Sequence, residues 1–161
     1  MELAGKLRAE ARRADERRLL VLAGDPARTR DRAGDALAAA DVPADGTTVL
    51  GPEAFLPCEH HEQARAAELL GRTRSAVVVD CHAECRPNAL GTAVGAVEGG
   101  GLLILLTPPL DDWPDRRDAF DDTLAVPPFD TTAVTGHFRR RFVETLRAHR
   151  GIGRASCRER V

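Results

Sequence analysis

The stretch VVVDCHAECRPNALG, residues 77–91, places an acid, an imidazole and two thiols directly after an apolar run. Asp80 ends a predicted buried strand, at the edge where open α/β sheets bind their ligands. An aspartate in this place also commonly bonds the backbone of its own turn, and Arg86-Pro87-Asn88 is an ordinary helix opening. The pattern favours a structural turn over a ligand contact.

A metal site would need cysteines and histidines at suitable spacings. Six side chains have the right chemistry for zinc: Cys58, His60, His61, Cys81, His82 and Cys85. The strings CHAEC and CEHH do not match the paired knuckles of structural zinc sites. A single arginine beside Cys85 is too little to predict a reactive thiol. We therefore predict no metal site and no reactive thiol among these residues.

The sequence contains no standard phosphate-binding loop. Lys6 is the only lysine and lies far from any glycine loop, so no phosphate-binding loop ending in Gly-Lys-Ser/Thr exists here. The glycines 99–101 precede a strand, whereas phosphate loops follow one. The turn after the first strand lacks GxGxxG, but Gly24 and Asp25, together with Asp80, are candidates for a small-molecule pocket. No cofactor is expected in the chain itself.

The run Arg139-Arg140-Arg141 is the candidate for RNA contact. Such a run on a helix is usually a solvated face, and its neighbours in the sequence are rich in aspartate. The net charge of −2 provides no overall attraction to nucleic acid. These three arginines are therefore candidates for RNA contact through a local patch, and a solvated helix face is the alternative.

The composition bounds the class of protein. With 161 residues, 43% hydrophobic and 30% charged, the chain fits one globular domain. The apolar run 102–106 is too short to cross a bilayer, and the N-terminus shows no export signal. Four cysteines without a regular framework are typical of a reducing compartment. We expect a cytoplasmic protein with no membrane partner.

The elements that must position these residues alternate along the chain. Apolar strands are predicted at 19–24, 47–51, 75–80 and 102–107, and helices at 2–16, 27–40, 60–70, 87–98 and 132–149. This order indicates parallel βαβ units. We predict an α/β class: one Rossmann-like, flavodoxin-type three-layer domain with about four parallel strands in the order 2-1-3-4. Gly91 and Gly95 are expected to let their helix sit close on the sheet, and residues 110–130 to be irregular.

The last ten residues, IGRASCRERV, are interpreted separately. They equal the translation of a common sequencing adapter, ATC GGA AGA GCG TCG TGT AGG GAA AGA GTG, and they show no hydrophobic period. We predict a native α/β domain over residues 1–151 and a non-native tail over residues 152–161. The natural protein is then expected to be longer than this chain.

Several features in order resemble one family. Asp80 ends a strand, a Pro-Asn-Ala-Leu-Gly run follows at 87–91, and the next helix ends in the glycines 99–101 before LLILLTPP at 102–109 and Trp113. In this order they resemble the N-terminal domain of TmcA-type RNA cytidine acetyltransferases, from about Arg17 to Arg150. The turn residues Cys81, Glu84 and Cys85 depart from the family's pattern, which argues against a shared metal site.

The resemblance implies a multidomain parent enzyme. In such enzymes this domain leads into a helicase-like ATPase module and an acetyltransferase domain, and the whole forms N4-acetylcytidine in tRNA with acetyl-CoA and ATP. No family catalytic position falls within this chain, so we expect a non-catalytic domain that positions RNA or braces the helicase-like module. The alternatives are a free-standing domain that binds a small molecule or nucleotide, and a pure protein-interaction module.

Overall fold

The computed structural model describes residues 2–157. Within that range the helices are α1 (Glu2–Ala14), α2 (Pro26–Ala39), α3 (Pro87–Ala96), α4 (Ala119–Leu124) and α5 (His137–Ala148). The strands are β1 (Arg18–Gly24), β2 (Thr47–Leu50), β3 (Glu59–His61), β4 (Arg74–Asp80), β5 (Val97–Thr107) and β6 (Ile152–Cys157). Short 3₁₀ helices occupy Ala44–Gly46, Gln63–Leu69, Trp113–Asp115 and Thr131–Ala133.

The six strands form one sheet in the order β3-β2-β4-β5-β1-β6, and every neighbouring pair is parallel. The predicted Rossmann-like parallel class is confirmed, with six strands where about four were expected. The predicted flavodoxin-type order is wrong, because β1 lies beyond β5 and not between β2 and β4. Alternating strands and helices determine strand direction, whereas strand order depends on which faces and edges pack best together.

Each face of the sheet carries its own core. On one face α1 and α2 pack against side chains such as Leu20, Val78 and Ile104. On the other face α3, α5 and the 3₁₀ helix that contains Trp113 pack against the alternate positions of the same strands. Because successive strand residues point to opposite faces, strands that are apolar throughout require cover on both sides. The three-layer arrangement predicted from the apolar strands follows.

Strand β6 lies in residues 152–161, the segment that the sequence analysis predicts to be a non-native tail. Ile152–Cys157 pairs in parallel with β1, with Leu19 opposite Ile152 and Gly24 opposite Cys157. The edge of β1 offers unpaired backbone groups that any extended segment can satisfy, and this pairing demands little of the side chains. Strand pairing does not test the origin of residues 152–161, so their non-native character stays a prediction. Residues 158–161 lie outside the described range.

The segment predicted as a helix over residues 60–70 folds differently. Its start joins β3, and the rest is the 3₁₀ helix Gln63–Leu69. The buried positions are Gln63, Ala66 and Leu69, spaced by the three residues of a 3₁₀ turn. The inward face expected for an α-helix (Ala64, Ala67 and Leu70) is instead exposed.

Two further expectations about local structure are wrong. Gly91 and Gly95 do not approach the sheet, because a Cβ added to either would meet no atom within 4 Å. The face of α3 that packs inward consists of Ala89, Leu90, Ala93 and Ala96. The segment 110–130 is not wholly irregular, since it contains α4.

Across residues 2–157, no helix combines the length and the apolar character needed to cross a membrane.

Candidate functional site

Asp80 is fully buried at the carboxyl end of β4, and its carboxylate has three donors. Arg30 Nε donates to Oδ2 at 2.9 Å, while His82 approaches Oδ1 with its backbone N at 3.1 Å and its Nδ1 at 2.7 Å. Burial by itself would raise the pKa of Asp80. The hydrogen bonds from His82 and Arg30 outweigh burial and lower the pKa, so the carboxylate is ionised.

The network extends from Asp80 to the end of β1. His82 Nε2 lies 3.0 Å from the carbonyl oxygen of Gly24, which can only accept, so Nε2 donates. Arg30, on α2, also donates to Glu53 at 3.0 Å and lies over the ring of Phe55. The structure therefore brings two of the three pocket candidates, Gly24 and Asp80, together through an imidazole.

The third pocket candidate, Asp25, caps the N-terminus of α2. Its Oδ1 accepts from the backbone N of Ala27 at 3.0 Å and of Arg28 at 3.3 Å. Pro26 follows in the first turn, as the sequence predicts. The carboxylate is thereby used to satisfy amides that a helix start leaves unbonded.

Gln63 holds the turn after β4 from a distance, and the sequence analysis missed it. Its Nε2 donates to the carbonyls of Asp80 at 2.7 Å and Glu84 at 2.8 Å, while its Oε1 accepts from Arg86 N at 2.9 Å. The side chain is buried, so these three bonds replace water for both ends of the turn. The only available signal was a glutamine inside an apparent helix, which carries little information.

A second buried cluster fixes the other side of this turn. Arg139 on α5 donates to Asp118 at 3.0 Å and to Asp121 at 2.8 Å, and Asp118 Oδ2 also accepts from Cys85 N at 3.0 Å. Burial raises the pKa of Asp118. Burial also acts to raise the pKa of Asp121, but the hydrogen bond from Arg139 outweighs it and the pKa is lowered.

The three arginines proposed for RNA contact therefore differ in position. Arg139 is buried in the cluster with Asp118 and Asp121, whereas Arg140 and Arg141 are exposed. Arg140 Nη2 lies 3.8 Å from Asp115, at the outer limit of an ion pair. Only Arg140 and Arg141 are placed to meet a ligand in solution.

The cysteines and histidines of the two suspected strings are spread over separate contacts. Cys81 and Cys85 are buried in the core, where a hydrogen bond between the thiols, together with burial, raises the pKa of Cys81 far above its usual range. His60 Nε2 donates to the carbonyl of Gly51 at 2.8 Å. Within residues 2–157, no group of three or more His, Cys, Asp and Glu side chains is arranged to hold a metal ion.

A cavity of about 310 Å³ lies beside the carboxyl end of β1. Gly24, Leu110 and Arg147 contribute to its wall, together with residues of β6. The connection after β1 runs to one face of the sheet and the connection after β5 to the other, so the carboxyl ends of β1 and β5 form the switch point where open α/β sheets bind ligands. The cavity adjoins this point on the side of β6, and its wall residues 154–156 belong to the segment predicted to be non-native. Asp25 and Asp80 do not line this cavity.

The fold and this edge define a Rossmann-like α/β domain whose polar groups at the carboxyl end of β4 bond mainly to one another. A family model described as "tRNA(Met) cytidine acetyltransferase TmcA, N-terminal" matches residues 1–156. The chain belongs to this family, and the resemblance inferred from Asp80, the run at 87–91 and Trp113 is confirmed.

Relatives with the name tRNA(Met) cytidine acetyltransferase TmcA agree with the assignment. The protein of Haloarcula marismortui is 70% identical over 152 residues, which are 94% of this chain and 20% of the relative. That of Haloferax volcanii is 54% identical over 150 residues, 93% of this chain and 20% of the relative. That of Nitrosococcus halophilus is 35% identical over 157 residues, with shares of 94% and 20%. The chain thus spans about a fifth of the length of these relatives.

The residues present do not fit a P-loop site for the ATP that the family resemblance implies for the parent enzyme. Triphosphate binding of the P-loop kind needs a glycine-rich turn followed by lysine, and Lys6 on α1 is the only lysine in the sequence. The N-terminus of α2, the natural place for an anion, is already satisfied by Asp25. This domain therefore lacks both the lysine and the free helix N-terminus that a P-loop site for ATP requires.

Proposed function

We propose that this chain is the non-catalytic N-terminal domain of an RNA cytidine acetyltransferase, an enzyme that forms N4-acetylcytidine in tRNA with acetyl-CoA and ATP. The observation that carries the proposal is the internal bonding of Asp80 and His82. A general acid or base must lie within hydrogen-bond reach of the substrate proton. Asp80 instead bonds Arg30 and His82, and both ring nitrogens of His82 face protein acceptors.

The proposed role is to position RNA or to brace the helicase-like module in a cytoplasmic enzyme. The exposed pair Arg140 and Arg141 supports RNA positioning, because arginines bind phosphate electrostatically and take no part in a reaction. The rigid turn after β4, bonded by Gln63 on one side and Asp118 on the other, supports a bracing role. Both roles need the rest of a long polypeptide, and the relatives are about five times the length of this chain.

The test uses the full-length Haloarcula marismortui relative. In one protein, residues 1–151 of this chain replace the matching region, for which the overall match is 70% identical. In a second protein that region is deleted. Mass spectrometry of nucleosides from incubated tRNA measures N4-acetylcytidine, and phosphate release measures ATP hydrolysis. We expect the chimera to acetylate tRNA, the deletion to lose most acetylation, and the 161-residue chain alone to do neither reaction. Turnover by the chain alone, or full acetylation by the deletion, would overturn the proposal.

A small-molecule or nucleotide-binding domain is the second candidate, favoured by the cavity beside Gly24. Calorimetric titration of the chain with ATP, acetyl-CoA and tRNA at several salt concentrations separates the two functions. A nucleotide-specific signal that is insensitive to salt supports a pocket, whereas a tRNA signal that falls steeply with salt supports phosphate contacts.

A further inference from the structure

The last residue of α4 and the segment that follows it expose three large apolar side chains within six residues. Leu124 is 51% exposed, and Val126 and Phe129 are each 67% exposed. Seven large hydrophobic residues are exposed in the described part of the chain, and three of them fall here. Exposed apolar side chains that occur singly need no explanation, but a cluster indicates an interaction surface.

We call residues 122–131 the docking loop; they comprise the end of α4 and its connection to the 3₁₀ helix Thr131–Ala133, and two hydrogen bonds close this connection. Phe129 N donates to the carbonyl of Val126 at 2.8 Å, and Thr131 Oγ1 donates to Asp122 at 2.5 Å. Behind it, Arg139 anchors α4 through Asp121 at 2.8 Å. The apolar side chains are therefore presented on a fixed base, which reduces the conformational entropy lost on binding.

The carboxylates beside the docking loop favour a protein occupant over nucleic acid. Residues 111–130 contain seven aspartates and two arginines, a charge of −5. Arg139, Arg140 and Arg147 on α5 offset part of this charge through ion pairs with aspartates of the same stretch. Two of the aspartates, Asp118 and Asp121, are paired with buried Arg139, but Asp122 and Asp130 are exposed beside the apolar side chains. An acidic rim repels phosphate and attracts a basic protein surface.

We propose that the docking loop binds another part of the full-length enzyme, at an apolar recess rimmed by arginine or lysine. The inference rests on the proposed function, because it requires that this chain be one domain of a longer protein. About four fifths of each matched relative lies outside the match, and this remaining part of the enzyme provides the binding partner. Val126 and Phe129 fill the recess, and Asp122 and Asp130 pair with its rim.

Hydrogen exchange measured by mass spectrometry tests the inference on two proteins. One is the 161-residue chain, and the other is the full-length chimera that carries residues 1–151 in the Haloarcula marismortui relative. Exchange in peptides covering residues 124–129 should be at least tenfold slower in the chimera. The double variant Val126→Asp with Phe129→Asp should restore fast exchange there. Leu70→Asp is the matched control, because Leu70 is equally exposed but lies outside the docking loop.

The isolated double variant should keep the circular dichroism spectrum and melting temperature of the unsubstituted chain, which separates loss of docking from unfolding. Equal exchange at 124–129 in both proteins would overturn the inference. So would slowing in the isolated chain that grows with its concentration, which indicates a second copy, or slowing that needs added tRNA. Acetylation of tRNA is measured in parallel. A chimera that acetylates with a fast-exchanging loop refutes docking alone, and one that protects the loop without acetylating refutes the proposed activity alone.

Discussion

His82 and Gly24 lie 58 residues apart in the chain and are joined by a hydrogen bond of 3.0 Å from the imidazole Nε2 to the carbonyl oxygen. The other ring nitrogen lies 2.7 Å from the buried carboxylate of Asp80. One side chain thus links the carboxyl ends of β1 and β4, two strands that β5 separates in the sheet. This link makes the turn after β4 part of the framework of the domain.

Replacing His82 by alanine should destabilise the domain. The change leaves the carbonyl of Gly24 without its donor and removes a donor from Asp80, so we expect a loss of about 1–3 kcal/mol in the free energy of unfolding. Urea unfolding followed by circular dichroism measures it. His137→Ala, at an exposed position on α5, is the control and should change stability little. Equal effects of the two substitutions would contradict the linking role of His82.

Arg30 and Arg32 lie on the same helix but should differ greatly in their effect. Arg30→Ala leaves the buried carboxylate of Asp80 without its ion-pair partner, and breaking a buried pair in this way costs about 3 kcal/mol or more. Arg32→Ala removes only an exposed contact of 3.8 Å to Asp35, worth about 0.5 kcal/mol or less. A double-mutant cycle on Arg30 and Asp80, measured by urea unfolding, should give a clear coupling energy. A coupling near zero would show that the two side chains act independently.

Protonation of Glu59 should account for part of the fall in the free energy of unfolding at low pH, which we call the acid limb. Burial acts to raise its pKa, but hydrogen bonds from Thr48, Arg72 and His61 and the charge of Arg74 outweigh burial and lower the pKa to about 2. A carboxyl with a lowered pKa stabilises the fold fully above its unfolded value of about 4.3. This stabilisation should therefore be lost as the pH falls from that value towards about 2.

Urea midpoints measured across that pH range test the contribution of Glu59. The Glu59→Gln variant should be less stable near neutral pH and should show a flatter acid limb than the unsubstituted chain. Glu144→Gln, on the exposed face of α5, is the control and should leave the slope of the limb unchanged. An acid limb that is as steep in Glu59→Gln as in the unsubstituted chain would refute the role assigned to Glu59.

Gly91→Ala should stabilise the protein. A Cβ at this position in α3 meets no atom within 4 Å, so the change reduces the entropy of the unfolded chain without a clash and should add about 0.5–1 kcal/mol. Gly101→Ala is the contrasting variant, because its Cβ would lie 2.7 Å from Val97 Cγ1 and 2.8 Å from the carbonyl of Ser75. Thermal unfolding should move in opposite directions for the two variants. Destabilisation by Gly91→Ala would restore the close-packing role predicted from the sequence.

Replacing Arg140 and Arg141 together by alanine should weaken tRNA binding by the full-length chimera. If both contact phosphate, the slope of log K against log salt should fall by about 1–2. Arg12 and Arg13 are exposed on α1, which packs on the other face of the sheet, so their double alanine variant is the control. An equal loss of affinity in both double variants would show a general charge effect and no local contact.

Part of this protein could be predicted from local sequence alone. The apolar runs at 19–24, 75–80 and 102–107 specify parallel strands covered on both faces, because no amphipathic alternation leaves a face for water. The N-cap at Asp25 followed by Pro26 specifies the start of α2, since a side-chain oxygen and a fixed φ act within one turn. The ordered features from Asp80 to Trp113 specify the family.

Other local predictions failed where two periodicities compete. The segment Gln63–Leu69 has small apolar residues at both three- and four-residue spacings, and contacts with α3 select the 3₁₀ turn that buries Ala66 and Leu69. In α3 the small side chains of Ala89 and Ala93, and not the glycines, face the sheet.

The tertiary structure alone decided the order of the strands and the partners of the polar residues. Which strand lies beside β1 depends on contacts between residues far apart in the chain, which no local pattern records. The bonds of Gln63 to the turn after β4, of His82 to Gly24 and of Arg139 to Asp118 and Asp121 likewise join distant segments. Sequence by itself therefore determined the class of fold and the family. Three-dimensional packing decided that Asp80 serves the framework, because only there do Arg30 and His82 converge on its carboxylate.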